Sequence, residues 1–420
     1  MAKIKKITGR EILDSRGNPT VEARVELKNG IVAKASAPSG ASTGVHEAHE
    51  LRDNDPNRYD GKGVLTAVHN IDTAINDVLV NKEVKKQEMI DDEMIKLDGT
   101  KNKKKLGANA ILAVSLACSK AGAIDSKLEL YEYIAKTYKY KKPKTMPTPS
   151  FNIFNGGKHA DTNLDFQEFM IIPMADIGFS EKIRMGAEIF HELGNVLKEG
   201  GYDTDVGNEG GYAPDIKYSI QAIEFIMAAA INKGYTPGKD IGIGIDVGSS
   251  ELYDMETKEY IFTLDNAHFT KDTLIGLYNE WLRKYPIISI EDGLGEDDWE
   301  GWKEMNRELG QDMLLIGDDL FVTNIERLRI GLKEGAANAI LIKPNQVGSL
   351  SETIECVKLA QKHNLKTMAS HRSGETCDTY IADIAVAVGA DYIKSGSLSR
   401  GERLAKYNRL MEIESMLKNK

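Results

Sequence analysis

Six short apolar runs in the second half of the chain each close on ionisable side chains: "IGIGID" at Asp246, "PIISIED" at Glu291, "MLLIGDD" at Asp318, "NAILIK" at Lys343, "KTMASHR" at His371 and Arg372, and "DYIK" at Lys394. The first three supply carboxylates and no sulfur or imidazole. That donor set suits a hard cation such as Mg²⁺, which accepts few protein ligands and keeps positions for water or substrate, and it disfavours zinc. Lys343 could then serve as a general base. A free lysine has a pKa of ~10.4 and is almost wholly protonated at pH 7, so bound cations and Lys394 close by would have to depress it. Together these groups suit removal of a proton next to a carboxylate, whose second negative charge a metal would absorb. Taken singly, each acid could equally cap a loop or pair with a lysine, and a Lys343 paired with Asp318 or Glu291 would keep a high pKa. Loop capping does not call for acids at three successive exits followed by amines at two later ones.

Such residues meet only if the runs are strands of one sheet. Their spacings of 45, 27, 25, 28 and 23 residues are each about one βα unit or a little more. In a closed barrel the carboxyl ends of the strands converge on one mouth. Amphipathic segments such as "TKDTLIGLYNEWLRKY" and "TNIERLRIGLKEG" lie between the runs. The residues before about 140 follow another pattern: "TVEARVEL", the turn "KNG" and "IVAKASA" read as strands, while 64–79 and "LGANAILAVSLACSKAGA" read as helices. Pro143, Pro147 and Pro149 in "YKYKKPKTMPTPS" interrupt both patterns. The expected fold class is α/β, with a smaller N-terminal α+β domain at 1–140 and a C-terminal β/α barrel at 141–420. The second part is close to the ~250 residues typical of eight units. An open doubly wound sheet is the competitor, but "GIGIDVG" lacks the helix and ribose acid that a dinucleotide turn requires.

Composition bounds the function. A formal charge of -10, from 54 basic and 64 acidic residues, with the basic ones scattered, argues against a nucleic-acid surface. It does not argue against a small anionic substrate held by a few focused cations. Cys118, Cys356 and Cys377 are too few and too dispersed for a disulfide framework or a zinc site. No run approaches the ~18 apolar residues of a membrane span, and "MAKIKKITGREILDSRG" lacks the apolar stretch of a secretion signal. The expected compartment is cytoplasmic, with cell-surface display or secretion without a signal peptide as the secondary expectation.

The motifs "DSRGNPTVE", "PSGASTGVHEA", "LGANAILAVSLA", "FNGGKHA", "FQEFMIIP", "GNEGGYAP", "SIEDG", "GDDLFVTN", "LIKPNQVG", "SHRSGET" and "IKSGSLSRGERLAKYN" resemble those of the enolase family, in the family's order and over nearly the whole chain. The resemblance implies a barrel whose first units are antiparallel, and Mg²⁺-dependent, reversible dehydration of 2-phosphoglycerate to phosphoenolpyruvate in glycolysis and gluconeogenesis. A Lys or His base working with Mg²⁺ is a known feature of that superfamily. Asp246, Glu291 and Asp318 would hold the first Mg²⁺, which binds the substrate carboxylate. Lys343 would take the C2 proton. Glu209 would protonate the departing C3 hydroxyl, assisted by Glu168 and Gln167. Lys394 would hold the carboxylate, and Arg372 with Ser373 the phosphate, where a guanidinium fork is well suited. His159 would belong to a closing loop and His371 would line the pocket. Read alone, "SGASTG" is an ordinary Gly/Ser turn, since a phosphate loop of the Walker type would need a lysine. By resemblance it is a lid whose Ser42 joins a second Mg²⁺ together with the substrate, and whose glycines serve as hinges.

Three positions depart from the family pattern. Asn208 stands where an acid usually precedes the catalytic glutamate, which predicts a lower Glu209 pKa, retained activity and an altered pH optimum. Cys377 replaces an acid and is expected to be inert and partly buried. Glu412 replaces an arginine that would pair across a dimer with Glu22, leaving Arg10 and Glu402 as the candidate crossing pair in an expected homodimer or larger homo-oligomer. Two other readings are compatible with the sequence: an acid-sugar dehydratase of the same superfamily, and a non-catalytic scaffold or surface-binding protein.

Overall fold

A computed structural model describes residues 2–40 and 44–419. The chain opens with an antiparallel meander, β1 (Ile4–Leu13), β2 (Pro19–Leu27) and β3 (Val32–Ser36). In β2 every second residue, Val21, Ala23, Val25 and Leu27, is fully buried, the period-2 signature of a sheet with one covered face. Helical turns follow: α1 (Leu65–Asn70), a π turn at Ile71–Ile75 and α2 (Asn76–Leu79), so the helix read from 64–79 contains a bulge. Next come α3 (Gln87–Asp98), α4 (Ala108–Ser126) and α5 (Leu130–Thr137). The cover over β2 and β3 is α4, whose Ala-rich sequence permits close approach and whose residues Ala108 to Ser119 are all buried.

The remainder is a closed barrel. Its strands are β4 (Thr148–Asn155) and β5 (Glu168–Pro173), then, after α6 (Phe179–Glu199) and α7 (Ile220–Asn232), β6 (Ile241–Asp246). A small sheet of β7 (Tyr253–Asp254), β8 (Glu259–Phe262) and β9 (Ala267–Phe269) intervenes. Helices and strands then alternate: α8 (Lys271–Lys284), β10 (Ile287–Glu291), α9 (Trp299–Leu309), β11 (Leu314–Gly317), α10 (Ile325–Glu334) and β12 (Ala339–Ile342). The last elements are α11 (Leu350–Lys362), β13 (Lys366–Ser370), α12 (Tyr380–Val388), β14 (Tyr392–Lys394) and α13 (Gly401–Lys418). Around the barrel the order is β10-β11-β12-β13-β14-β4-β5-β6. All neighbours are parallel except β4/β5 and β5/β6, so β5 alone runs backwards, as the antiparallel first units require. Ile316, Ala339, Leu341 and Met368 form a small apolar cluster of their own, while Ile340 and Ile342 join the main core. Alternation along β12 thus separates a barrel interior from the layer beneath the helices.

The two regions are fastened together. On α3, Asp91 accepts hydrogen bonds from the backbone N–H and hydroxyl of Ser351 on α11 at 3.0 and 2.6 Å. Burial pushes the Asp91 carboxyl up to about 6. Ion pairs Lys103–Glu352, Lys120–Asp378 and Glu129–Arg409 also cross the seam. One apolar core runs from Ile4 to Ile413. Among the described residues no helix is long and apolar enough to cross a membrane. Cys118 and Cys356 are buried thiols, whereas Cys377, expected to be partly buried, is exposed because it lies in the loop between β13 and α12.

Candidate active site

The strand ends bring these side chains to one mouth of the barrel. Asp246 and Glu291 are the last residues of β6 and β10 and face each other in register. Asp318, Lys343 and His371 each follow directly on β11, β12 and β13, and Lys394 ends β14. Glu168 arrives differently. Because β5 is reversed, its first residue lies at the mouth, in register with Asp246 on one side and Asn155 on the other. Gln167, next to it, packs so closely on Gly248 that a Cβ there would meet its side-chain amide at 1.7 Å. Only glycine fits at that position, where φ is +60°.

Lys394 sits among the acids. Its Nζ is 3.0 Å from Asp246 Oδ2, from Glu291 Oε1 and from Glu168 Oε2. Burial opposes its charge, but the Asp246, Glu168 and Glu291 carboxylates outweigh this and hold its pKa well above the ordinary lysine value. Burial, reinforced by Asp246, pushes the Glu291 carboxyl far up. Lys343 Nζ donates to Asp318 Oδ2, while Asp318 Oδ1 accepts from Gln346 Nε2 at 2.8 Å. The expectation of a depressed Lys343 presupposes bound cations that draw on Asp318, whereas here Asp318 is paired with the amine. Burial does work against its charge, and Lys394 and Arg372 add to that, but the Asp318 carboxylate prevails and raises the pKa. Arg372 meets the Glu47 carboxylate with both terminal nitrogens, at 2.8 and 3.2 Å, and Asn345 at 3.1 Å. Ser373 is buried beside it.

On the other side of the mouth Glu209 is enclosed by Asn152, which donates to Oε2 at 3.0 Å, by His371 Nε2 at 3.1 Å and by His159 Nδ1 at 3.6 Å. His159 Nδ1 also lies 3.1 Å from Glu168 Oε1. Burial alone would raise the Glu209 carboxyl; the neighbouring imidazoles and the Arg403 charge bring it well below the usual glutamate value. Glu168, buried and facing the Glu209 charge, is pushed up to about 7 despite Lys394. Burial drives the His371 imidazole down to about 3. Ser42 lies outside the described residues.

Several participants escape the sequence pattern: Asp292, Asp319, Gln346, Asn152 and Glu47. Asp292 has φ +44°, a left-handed turn just past β10 that folds its carboxylate back to accept the backbone N–H groups of Asp318 and Asp319, each at 2.9 Å. Thr323, at φ +53°, accepts the Lys343 N–H at 2.8 Å and donates to Gln346 at 2.7 Å. The doublets "ED" and "DD" were the available signal, and strand alternation would have assigned only one member of each to the mouth.

The donor chemistry suits a hard cation. Carboxylates at this mouth, the buried Glu168, Glu209, Asp246, Glu291, Asp292 and Asp318 and the half-buried Asp319, outnumber the fixed cations Lys343, Lys394 and Arg372. Among the described residues, the three carboxylates whose oxygens lie within 4.8 Å of one another are those of Asp292, Asp318 and Asp319, which share only Asp318 with the expected set; Asp246 and Glu291 instead converge on Lys394. Residues 4–134 match a family model described as "Enolase, N-terminal domain", and residues 143–420 match one described as "Enolase, C-terminal TIM barrel domain".

Proposed function

Since the chain belongs to the enolase family, of lyase-type enzymes, we propose that it carries out Mg²⁺-dependent, reversible dehydration of 2-phosphoglycerate to phosphoenolpyruvate. One observation carries this reading. In the barrel order β12 and β5 are four strands apart, so the amine following β12 and the carboxyl opening β5 stand diametrically across one polar mouth. A base and an acid so placed can work on opposite faces of a substrate held between them.

In this reading Asp246, Glu291 and Asp318 hold Mg²⁺, which when bound supplies stabilisation of the charge that develops on the substrate carboxylate. A second ion with Ser42 belongs to the same reading, from the family resemblance. Asp318 so engaged no longer neutralises Lys343, which then loses its proton more readily. Lys343 Nζ takes the C2 proton, and the C–H electrons become the C2=C3 bond. As the C3–O bond breaks, the leaving hydroxyl departs as water with a proton from the Glu168–Glu209 pair, in which Glu168 holds the proton near neutral pH and passes it through Glu209, with Gln167 and His159 orienting that side. Lys394 binds the substrate carboxylate. Arg372 exchanges Glu47 for the substrate phosphate, aided by Ser373, a choice that favours a phosphorylated acid over an acid sugar.

Ultraviolet absorbance of phosphoenolpyruvate follows the reaction. Wild type is expected to turn over 2-phosphoglycerate only with Mg²⁺, and Lys343→Ala to be slower by about 100- to 10,000-fold. Equal rates would remove Lys343 from the base role. No product from wild type, with turnover of an acid sugar instead, would move the protein to the sister activity.

A further inference from the structure

We infer that Arg403 is a positioning residue that locks His371 in the tautomer carrying its proton on Nε2, the ring nitrogen on the Glu209 side. The inference rests on the proposed acid role of Glu209 and extends it to a residue that touches no substrate.

Arg403 lies in the first turn of α13 and is completely buried. Its Nη1 is 2.6 Å from His371 Nδ1 and donates to the Arg372 carbonyl at 2.6 Å. Its Nη2 donates to the carbonyls of Ser373 at 2.5 Å and Asn208 at 3.0 Å. A guanidinium has donors only and stays charged in proteins. His371 Nδ1 facing it must therefore accept, and a neutral ring then carries its hydrogen on Nε2. That atom lies 3.1 Å from Glu209 Oε2. A protonated ring would place a second N–H against the arginine, which burial and the Arg403 charge both resist. The groups facing this pair are His159, Glu168 and Lys394; Arg403 also meets Glu402 Oε1 through Nε at 3.3 Å and the Ser15 hydroxyl through Nη2 at 3.4 Å, neither of which engages the Nη1 that faces His371.

The same guanidinium ties the turn before Glu209, through the Asn208 carbonyl, to the loop after β13. Acid and imidazole are thus indexed to one rigid plane. Its freedom is small: a Cβ at Gly396 would meet Arg403 Cδ at 2.8 Å. A preset Nε2–H puts the positive side of the neutral ring, rather than a lone pair, beside ionised Glu209.

Two measurements test this. Selective ¹⁵N-histidine labelling of the full chain, with His371→Gln for assignment, should show His371 Nδ1 unprotonated and Nε2 protonated across neutral pH. A proton on Nδ1 would overturn the inference, whatever substrate the enzyme takes. Arg403→Lys keeps one charge but loses the fork. It should lower kcat by about 10- to 100-fold with little change in KM, and should shift the pH–rate limb assigned to Glu209. A variant that lost stability but kept the wild-type pH profile and tautomer would reduce Arg403 to a packing role and refute the claim. If Arg403→Lys does not fold, the tautomer measurement on wild type still decides. Failure of wild type to form phosphoenolpyruvate would sink the assigned reaction while leaving the tautomer result intact.

Discussion

Asn208 precedes Glu209 and gives its backbone, through the carbonyl bound by Arg403 and the N–H bound by the His159 carbonyl at 2.8 Å, to the frame around the acid. Its neutral side chain leaves Glu209 to the imidazoles and Arg403, which already draw its pKa down. A new carboxylate next door would raise it, because a like charge disfavours ionisation. Asn208→Asp is therefore expected to move the pH–rate limb governed by Glu209 to higher pH while leaving the fold intact. An unchanged profile would show that Glu209 does not set that limb. At this scale the sequence disclosed identities better than states. Lys343 was legible as a strand-end amine, yet its raised pKa depends on Asp318, 25 residues away, taking it as a partner.

Helix termini and strand directions govern the next scale. Glu414 on α13 caps another helix, accepting the backbone N–H groups of Phe179 and Ser180 and the Ser180 hydroxyl at the start of α6. Burial would raise its carboxyl, but these donors and Lys418 hold it down at about 2. A carboxyl whose folded pKa lies below its unfolded value stabilises above the unfolded value and loses that contribution as pH falls toward the folded one. Glu414→Gln should cost about 1 kcal/mol at pH 7. That deficit should shrink below pH 4.5 and vanish near pH 2, as thermal melts at several pH values would show. A deficit independent of pH would assign the effect to packing. Strand ends of the parallel units could be read because each polar exit follows an apolar run. Glu168 could not be read this way, because the reversal of β5 makes it an entrance. Asp292 was hidden for a related reason: a left-handed residue just beyond a strand breaks the alternation that pattern reading relies on.

For the whole molecule, the proposed boundary near residue 140 lies in a linker whose Lys139, Lys141, Lys142 and Lys144 are exposed. Trypsin should nick it, and the two fragments should still co-elute in gel filtration, held by the Asp91–Ser351 bonds, the seam ion pairs and the shared core. Separation without denaturant would show that the seam is weak. Assembly beyond one chain is a further proposal, and here Arg10 is already bound to Glu22 at 2.6 Å, Glu402 to Arg400 at 2.9 Å and Glu412 to Arg409 at 2.7 Å. A homodimer using Arg10 and Glu402 would have to trade these internal partners for external ones. The apolar core that runs unbroken from Ile4 to Ile413 has a last consequence, for ancestry and not for catalysis. Two segments that a family catalogue separates cannot be shuffled like beads, since a foreign half would meet a surface carved for its absent twin. Drift on one side must be answered on the other, and the pair is inherited as a single object.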